Sequence, residues 1–342
     1  MDELLISRTQ QAIRERVFPG CIIGLIRANR RIVIPVGTTD GKNPVNENTV
    51  YDLASITKSI PLASLALTLM QENPPRLNLE GKVIEYLPEL RNGHGATIED
   101  LLRYRVKGSK MSELQFKTFE EIRTHVLEKG FDLPRRSLGE DGWGTYTNLP
   151  AFVLGLIIER VTGEILPALA DKYFFKPLGM NDTTFFPENL DTSTLTGRSK
   201  LMLIDKWIAP TEIVDGQEIR GIVHDESARV FSRARRAVGH AGLFSTAPDL
   251  LKFLEAMIAG ELPAVVDGAQ KGLGWEIGRE WMGSKGGKGV FGKTGFTGTS
   301  ILCDPEKGIG LVILSNRTYP HRPPDNSAIN LFRKDIAHIV LE

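Results

Sequence analysis

Ser55-Ile56-Thr57-Lys58 places a serine and a lysine three residues apart at the start of an apolar run. On a helix, positions i and i+3 share a face, so the lysine amine reaches the serine hydroxyl. A serine hydroxyl is a weak nucleophile until a neighbouring base takes its proton, and a lysine held beside it can be part of that base. The pair points to acyl transfer with Ser55 as the covalent centre. Alone the spacing is weak, because composition supplies about one such match by accident in a chain of this size. The bland reading makes Ser55 a helix N-cap and Lys58 a solvated first-turn residue. Pro61 has no N–H to offer the carbonyl of Thr57, so the helix is expected to kink or loosen there.

Working outward, the 342 residues are 41% hydrophobic and 25% charged, a globular composition with room for a sizeable core. Lys+Arg and Asp+Glu both number 42, which argues against a nucleic-acid partner, since that would favour a basic footprint. The longest apolar stretch, 60–70, is too short for a membrane span. The N-terminus shows no basic and then apolar leader, so a cytoplasmic location is expected; a processed secreted form would read the same. Cys21 and Cys303 fall in apolar runs and read as buried thiols. No Cys/His spacing suggests a metal, and no cofactor is expected.

Residues 21–26 and 31–36 are β-branched-rich runs joined by Arg27-Ala28-Asn29-Arg30, which reads as a hairpin. An N-terminal helix carrying Leu4, Leu5 and Ile13 precedes it. A second hairpin is expected from 300–303 and 310–315, with turn chemistry in Asp304-Pro305-Glu306-Lys307-Gly308 between them. A closing helix over 328–341 carries Leu331, Ile336, Ile339 and Val340 at helical spacing. The middle is helical in period at 60–72, 98–103, 119–128 and 149–161, and 283–289 reads as a Gly-rich loop. The expected fold class is α+β. An antiparallel sheet is built from N- and C-terminal strands and flanked by terminal helices, with a large, mainly helical inserted lobe. The sheet lobe takes 1–59 plus 240–342 and the helical lobe 60–239, with the active site in the cleft between them.

Two further triplets join the first. Tyr146-Thr147-Asn148 precedes a helical run, and Lys293-Thr294-Gly295 falls on an expected strand. A KTG triplet alone arises in about one chain in ten by chance. SxxK, YxN and KTG, each present once and in that order, resemble the serine β-lactamase and penicillin-binding-protein superfamily. The resemblance is closest to the class C-like branch of β-lactamases, DD-peptidases, esterases and amidases. It extends through Leu178-Gly179-Met180-Asn181-Asp182-Thr183, Val223-His224-Asp225-Glu226-Ser227-Ala228-Arg229 and Gly239-His240-Ala241-Gly242-Leu243-Phe244-Ser245-Thr246, and so covers nearly the whole chain.

The resemblance implies roles. Ser55 is the nucleophile and Lys58 its proton partner. Tyr146 is general base toward Ser55 and acid toward the leaving group, with its phenol brought down from near 10 by two neighbouring ammonium groups. Asn148 holds the substrate's amide or ester region, and Lys293, Thr294, Gly295 and Phe296 line the substrate strand. The backbone N–H groups of Ser55 and Phe296 hold the oxyanion. Taken singly, Tyr146 reads as a core tyrosine, Asn148 as an N-cap and Lys293 as a solvated strand residue. The run Leu101-Leu102-Arg103-Tyr104-Arg105-Val106-Lys107-Gly108 departs from the superfamily's usual "LLTHTSG" pattern. The basic clusters 103–107 and 229–236 read as solvated surface or as carboxylate recognition. His224 and His240 read as structural or pocket-lining, because the tyrosine already fills the base role. The expected activity is a serine hydrolase cleaving an ester, amide or β-lactam, including peptidoglycan-derived fragments. A cytoplasmic location ranks β-lactamase action second. The rival from another class is a catalytically silent binding or scaffolding protein on the same fold.

Overall fold

Ala28 and Asn29 both take left-handed backbone, with φ of +51° and +57°. Two such residues in succession close a tight hairpin whose twist matches its strands. This joins β1 (Gly20–Arg27) to β2 (Arg30–Gly37), where the 21–26 and 31–36 runs predict it. The computed structural model of the chain describes residues 1–111, 116–131, 146–187, 207–237, 239–283, 287 and 289–342. The Gly-rich 283–289 stretch lies partly outside them.

The main sheet is antiparallel with strand order β2-β1-β10-β9-β8-β7. Its later strands are β7 (Glu276–Ile277), β8 (Phe291–Thr294), β9 (Ser300–Asp304) and β10 (Ile309–Ser315). β9 and β10 are the second expected hairpin. β1 pairs with β10 in the register Cys21↔Ser315 to Ile26↔Gly310, so the two ends of the chain meet at the sheet centre. Two short pairs lie apart from it: β3 (Tyr51–Asp52) with β6 (Phe244–Ser245), and β4 (Glu212–Val214) with β5 (Gln217–Ile219).

Strand residues alternate in facing direction. Cys21, Ile23 and Leu25 pack with α1 (Asp2–Arg14) and with the closing helix, Ser327–Leu341, on one face. The closing helix buries Ile329, Phe332, Ile336 and Val340, whereas Leu331 is exposed. On α1 it is Leu4 that faces water, and Leu5 and Ala12 that are buried. Ile22 and Ile26 belong to the opposite apolar cluster, which takes in Leu250, Leu251 and Leu254 of the helix Ala247–Ile258. That cluster continues without a break into the middle helices: α2 (Ser64–Gln71), α3 (Val83–Tyr86), α4 (Ile98–Leu102), α5 (Phe119–Lys129), α6 (Leu149–Thr162) and α7 (Leu166–Ala170). The later helices are α8 (Glu226–Arg233), α9 (Ala247–Ile258), α10 (Pro263–Gln270) and α11 (Ser327–Leu341). None of the described helices is long and apolar enough to cross a membrane.

Candidate active site

The Ser55 turn is not the first turn of a regular α-helix. It is a 3₁₀ turn, Ala54–Lys58, followed by the wider segment Ser59–Ala63 and only then by α2. Ile60 leaves helical backbone (φ −113°, ψ 113°) just ahead of Pro61, which is the loosening the sequence predicts. Ala54 sits in the left-handed region at φ +47°. A residue with a Cβ pays about 1 kcal/mol or more there, so something must hold it. Asp52 does: its carboxylate accepts from Ala54 N–H and from His224 N–H, both at 2.8 Å. Thr57 Oγ1 donates to Ala54 O (2.7 Å) and accepts from Leu243 N–H (3.2 Å). From the sheet, Thr297 Oγ1 donates to Asp52 O (2.7 Å) and Thr299 Oγ1 to Leu53 O (3.1 Å). Gly295 lies so near this turn that a Cβ on it would meet Leu53 O at 2.4 Å and Thr299 Oγ1 at 2.1 Å.

Lys58 is buried. Its Nζ lies 2.9 Å from Ser55 Oγ and 2.7 Å from His240 O. Burial, then the charge of Lys293, lower this amine to about 7, against an opposing pull from Asp225. Lys293 is buried too and donates to Glu276 Oε1 at 3.1 Å, while Glu276 Oε2 accepts from Trp281 Nε1 at 2.8 Å. Burial pushes the Glu276 carboxyl up, but Lys293 and the Trp281 hydrogen bond outweigh it and hold the group below its ordinary value.

The Tyr146 ring lies between the two amines, 5.1 Å from Lys58 Nζ and 4.7 Å from Lys293 Nζ, and its hydroxyl is hydrogen-bonded to Ser55. Tyr146 is therefore a cleft residue and not a core tyrosine. Its phenol is nevertheless held above its ordinary value, opposite to the direction the sequence reading requires. Desolvation pushes it up, the Ser55 hydrogen bond pulls it down, and the Glu276 and Asp225 charges push it up again. The residue as a whole is 44% exposed, yet desolvation of the hydroxyl remains the largest cause, and both carboxylates act in the same direction. With both amines close to its ring, the phenol is still left above its ordinary value by desolvation and these carboxylates.

Asn148 stands at the N-cap position of α6, but its side chain does not cap. Its Nδ2 donates instead to Asp225 Oδ2 at 3.0 Å. Thr294 Oγ1 lies 3.4 Å from Glu276 Oε1. Phe296 stacks on the His224 ring, with centroids 5.8 Å apart, beneath Arg317 at 5.0 Å. Among the described residues, neither Ser55 N–H nor Phe296 N–H has a hydrogen-bond acceptor. Ser55, Tyr146, Thr294, Gly295 and Phe296 line a single cleft of about 350 Å³, together with Arg279 and Arg333.

Several residues of this site escape the sequence reading. Tyr104, inside the departing run, is buried at φ +53° with its ring 5.1 Å from that of Tyr146 and 5.3 Å from Lys293 Nζ. Glu276 sits on a two-residue edge strand with no motif around it. Arg333 of α11 donates through Nη2 to Gly295 O (3.0 Å) and Thr299 O (2.7 Å), tying the closing helix to the substrate strand. Three arginines of the basic clusters are held by partners outside the cleft lining. Arg103 bonds Glu99 and Lys271 O, Arg229 bonds the carbonyls of Val223 and His224, and Arg236 pairs with Glu159. His224 bonds Glu212 (3.0 Å), and the buried His240 presents its backbone oxygen to Lys58.

Known proteins resemble this chain along most of its length. A protein from Escherichia coli (strain K12) named "Putative D-alanyl-D-alanine carboxypeptidase" is 27% identical over 338 residues, covering 84% of this chain and 72% of its own length. A protein of the same name from Salmonella gallinarum is 28% identical over 332 residues, covering 83% of this chain and 72% of its own. Among solved structures, a class C β-lactamase from Rhodobacter sphaeroides superposes with a TM-score of 0.71 at 18% identity, over 98% of this chain and 99% of that one; at such identity the likeness shows the fold. The family profile described as Beta-lactamase matches residues 5–334. With nearly the whole sequence inside that match, the chain belongs to the Beta-lactamase family.

Proposed function

We propose that the protein is a serine hydrolase that cleaves an amide or ester through an acyl-enzyme on Ser55. Peptidoglycan-type peptides are the first substrate class. The observation that carries this reading is the Lys58 amine, 2.9 Å from Ser55 Oγ and lowered to about 7 in an open cleft. Near neutral pH a large share of such an amine is unprotonated and able to accept the serine proton. The substrate carbonyl oxygen takes the N–H groups of Ser55 and Phe296. Oγ attacks the carbonyl carbon as its proton passes to Lys58, and the charge that develops on the oxygen meets both donors.

A phenol held high is a proton donor, which suits Tyr146 to the second half of the step. Its hydroxyl gives a proton to the departing nitrogen or oxygen, and the proton held on Lys58 then neutralises the phenolate left behind. The carbon–leaving-group bond breaks and the acyl ester on Ser55 remains. Water then enters, and the same groups work in reverse to release the acid and restore the serine. Asn148, fixed by Asp225, offers an amide face to the substrate and favours an amide over a simple ester. Arg279 and Arg333 in the cleft favour a substrate with an anionic end, which agrees with the carboxypeptidase name of the relatives. β-Lactams, as strained amides, are expected to acylate the same serine.

The test is covalent. Labelled penicillin or a fluorophosphonate is expected to modify Ser55, as located by peptide mass spectrometry, and Ser55→Ala is expected to take no label. Folded wild-type protein that gains no adduct on Ser55 and releases no D-alanine from a peptide ending in D-alanyl-D-alanine would instead support the silent binding protein.

A further inference from the structure

Behind the Ser55 turn stands a carboxylate to which the chemistry above gives only a supporting contact. Asp225 precedes α8 and accepts from Ala228 N–H at 2.9 Å, which caps that helix. It holds three more donors: Ser227 Oγ at 2.6 Å, His240 Nε2 at 3.3 Å and Asn148 Nδ2 at 3.0 Å. A helix cap needs only the first of the four. An ionised carboxylate accepts and does not donate, so Asn148 must turn its NH₂ toward it, and this fixes the amide's orientation. Among the described residues no other partner takes the Oδ1 or the second N–H of Asn148, and both suit a substrate amide. Ser227 spends its one hydroxyl hydrogen on Asp225, so at 2.9 Å from His240 Nε2 it accepts, and Nε2 carries a hydrogen. The same His240 offers its backbone oxygen to Lys58 Nζ at 2.7 Å. One carboxylate thus reaches the Asn148 amide directly and the amine beside the nucleophile through one residue.

We propose that Asp225 is the positioning residue of this site, holding Asn148 in a single orientation for a substrate amide and supplying the negative charge that faces the Lys58 amine. The inference rests on the reading of Ser55 as nucleophile. Lys58 is surrounded by Lys293 from β8, Tyr146 from the approach to α6, His240 from the approach to β6, and Asp225 from the start of α8. Glu276 of β7 acts on the set through Lys293. Asp225 in turn faces His240 and adds its charge to that felt by Asp52 of β3. Asp225 favours the protonated amine, while burial and Lys293 oppose it. Removing the carboxylate therefore moves Lys58 further down.

The test uses the whole chain and two probes. A fluorophosphonate carries no amide, so it reads the Ser55–Lys58 pair alone; a labelled penicillin also needs Asn148. Second-order rates of Ser55 labelling are followed against pH. Asp225→Asn is expected to shift the acid limb to lower pH with both probes, by about half a unit or more. It is expected to slow penicillin about tenfold while leaving the fluorophosphonate within about threefold on the alkaline plateau. Asn148→Ala is expected to slow penicillin alone, and adding Asp225→Asn to it to slow penicillin no further. Asp225→Ser keeps a good cap and serves as the second variant if the first does not fold. An unmoved acid limb with equal loss for both probes and a lower melting temperature reduces Asp225 to a helix cap and overturns the proposal. A wild-type protein unlabelled at Ser55 removes the nucleophile reading itself, whereas normal labelling with unchanged variant profiles removes only Asp225.

Discussion

A lysine amine with an ordinary value of 10.5 that is held at about 7 has a direct kinetic consequence. Its unprotonated form is the base, so Ser55 labelling is expected to rise with pH through about 7 and then level off, as followed with a fluorophosphonate. Lys293 is the second cause of that low value. Lys293→Met removes a neighbouring positive charge and takes from Glu276 its ammonium partner, and both changes favour the protonated Lys58 amine. The acid limb is expected to move to higher pH, and a shift to lower pH would remove Lys293 from the electrostatics of the pair. At this scale the sequence is informative where roles travel in short motifs. Ser55 with Lys58, Tyr146 with Asn148 and Lys293 with Gly295 each sit within three residues of a partner. Glu276 is not legible, because its pairing with Lys293 exists only once β7 lies beside β8. Nor is the upward push on Tyr146, which comes first from desolvation in the folded cleft and then from Glu276 and Asp225, two carboxylates far from it in sequence.

At the scale of elements, the nucleophile turn depends on how closely β8 approaches it. Gly295→Ala places a methyl group against Leu53 O and Thr299 Oγ1, backbone on one side and a hydrogen-bonded hydroxyl on the other. Overpacking of this kind costs about 1–3 kcal/mol. The expected result is a lower urea midpoint together with loss of Ser55 labelling, because the turn that carries Ser55 is the part that must move. Unchanged labelling would show that the contact can relax elsewhere. Both hairpins were legible because β-branched runs and turn residues mark them locally. The break between the Ser55 turn and α2 was half legible: Pro61 signals it, but the 3₁₀ form arises from Ala54 at positive φ, which the Asp52 carboxylate secures. On the closing helix Leu331 lies outside the buried stripe, because helical spacing gives a face, not its boundary.

Across the whole molecule, distant segments are joined by a few buried polar side chains. Asn316, just after β10, donates through Nδ2 to Thr39 O and to Pro210 O, both at 2.7 Å, and so pins the exit of β2 and the segment before β4 to the sheet. Asn316→Ala leaves two buried carbonyls without a donor, each costing about 1–3 kcal/mol. A melting temperature lower by several degrees is expected, with the acid limb of Ser55 labelling unmoved. A shifted limb would mean that the pin also sets the site. No local pattern in the sequence announces such a tie, because its three partners lie far apart along the chain.

The pairing of β1 with β10 has a consequence for how the protein is made. The first hairpin is synthesised long before β10, the neighbour that completes it, because the whole helical middle lies between them. At about 5–20 residues per second, β1 waits for tens of seconds with one edge unpaired. During that interval no sheet exists for β8 to join, so nothing holds Gly295 against the Ser55 turn. The nascent chain therefore carries its serine long before it carries a nucleophile, and an apolar strand edge is open to other chains for all of that time.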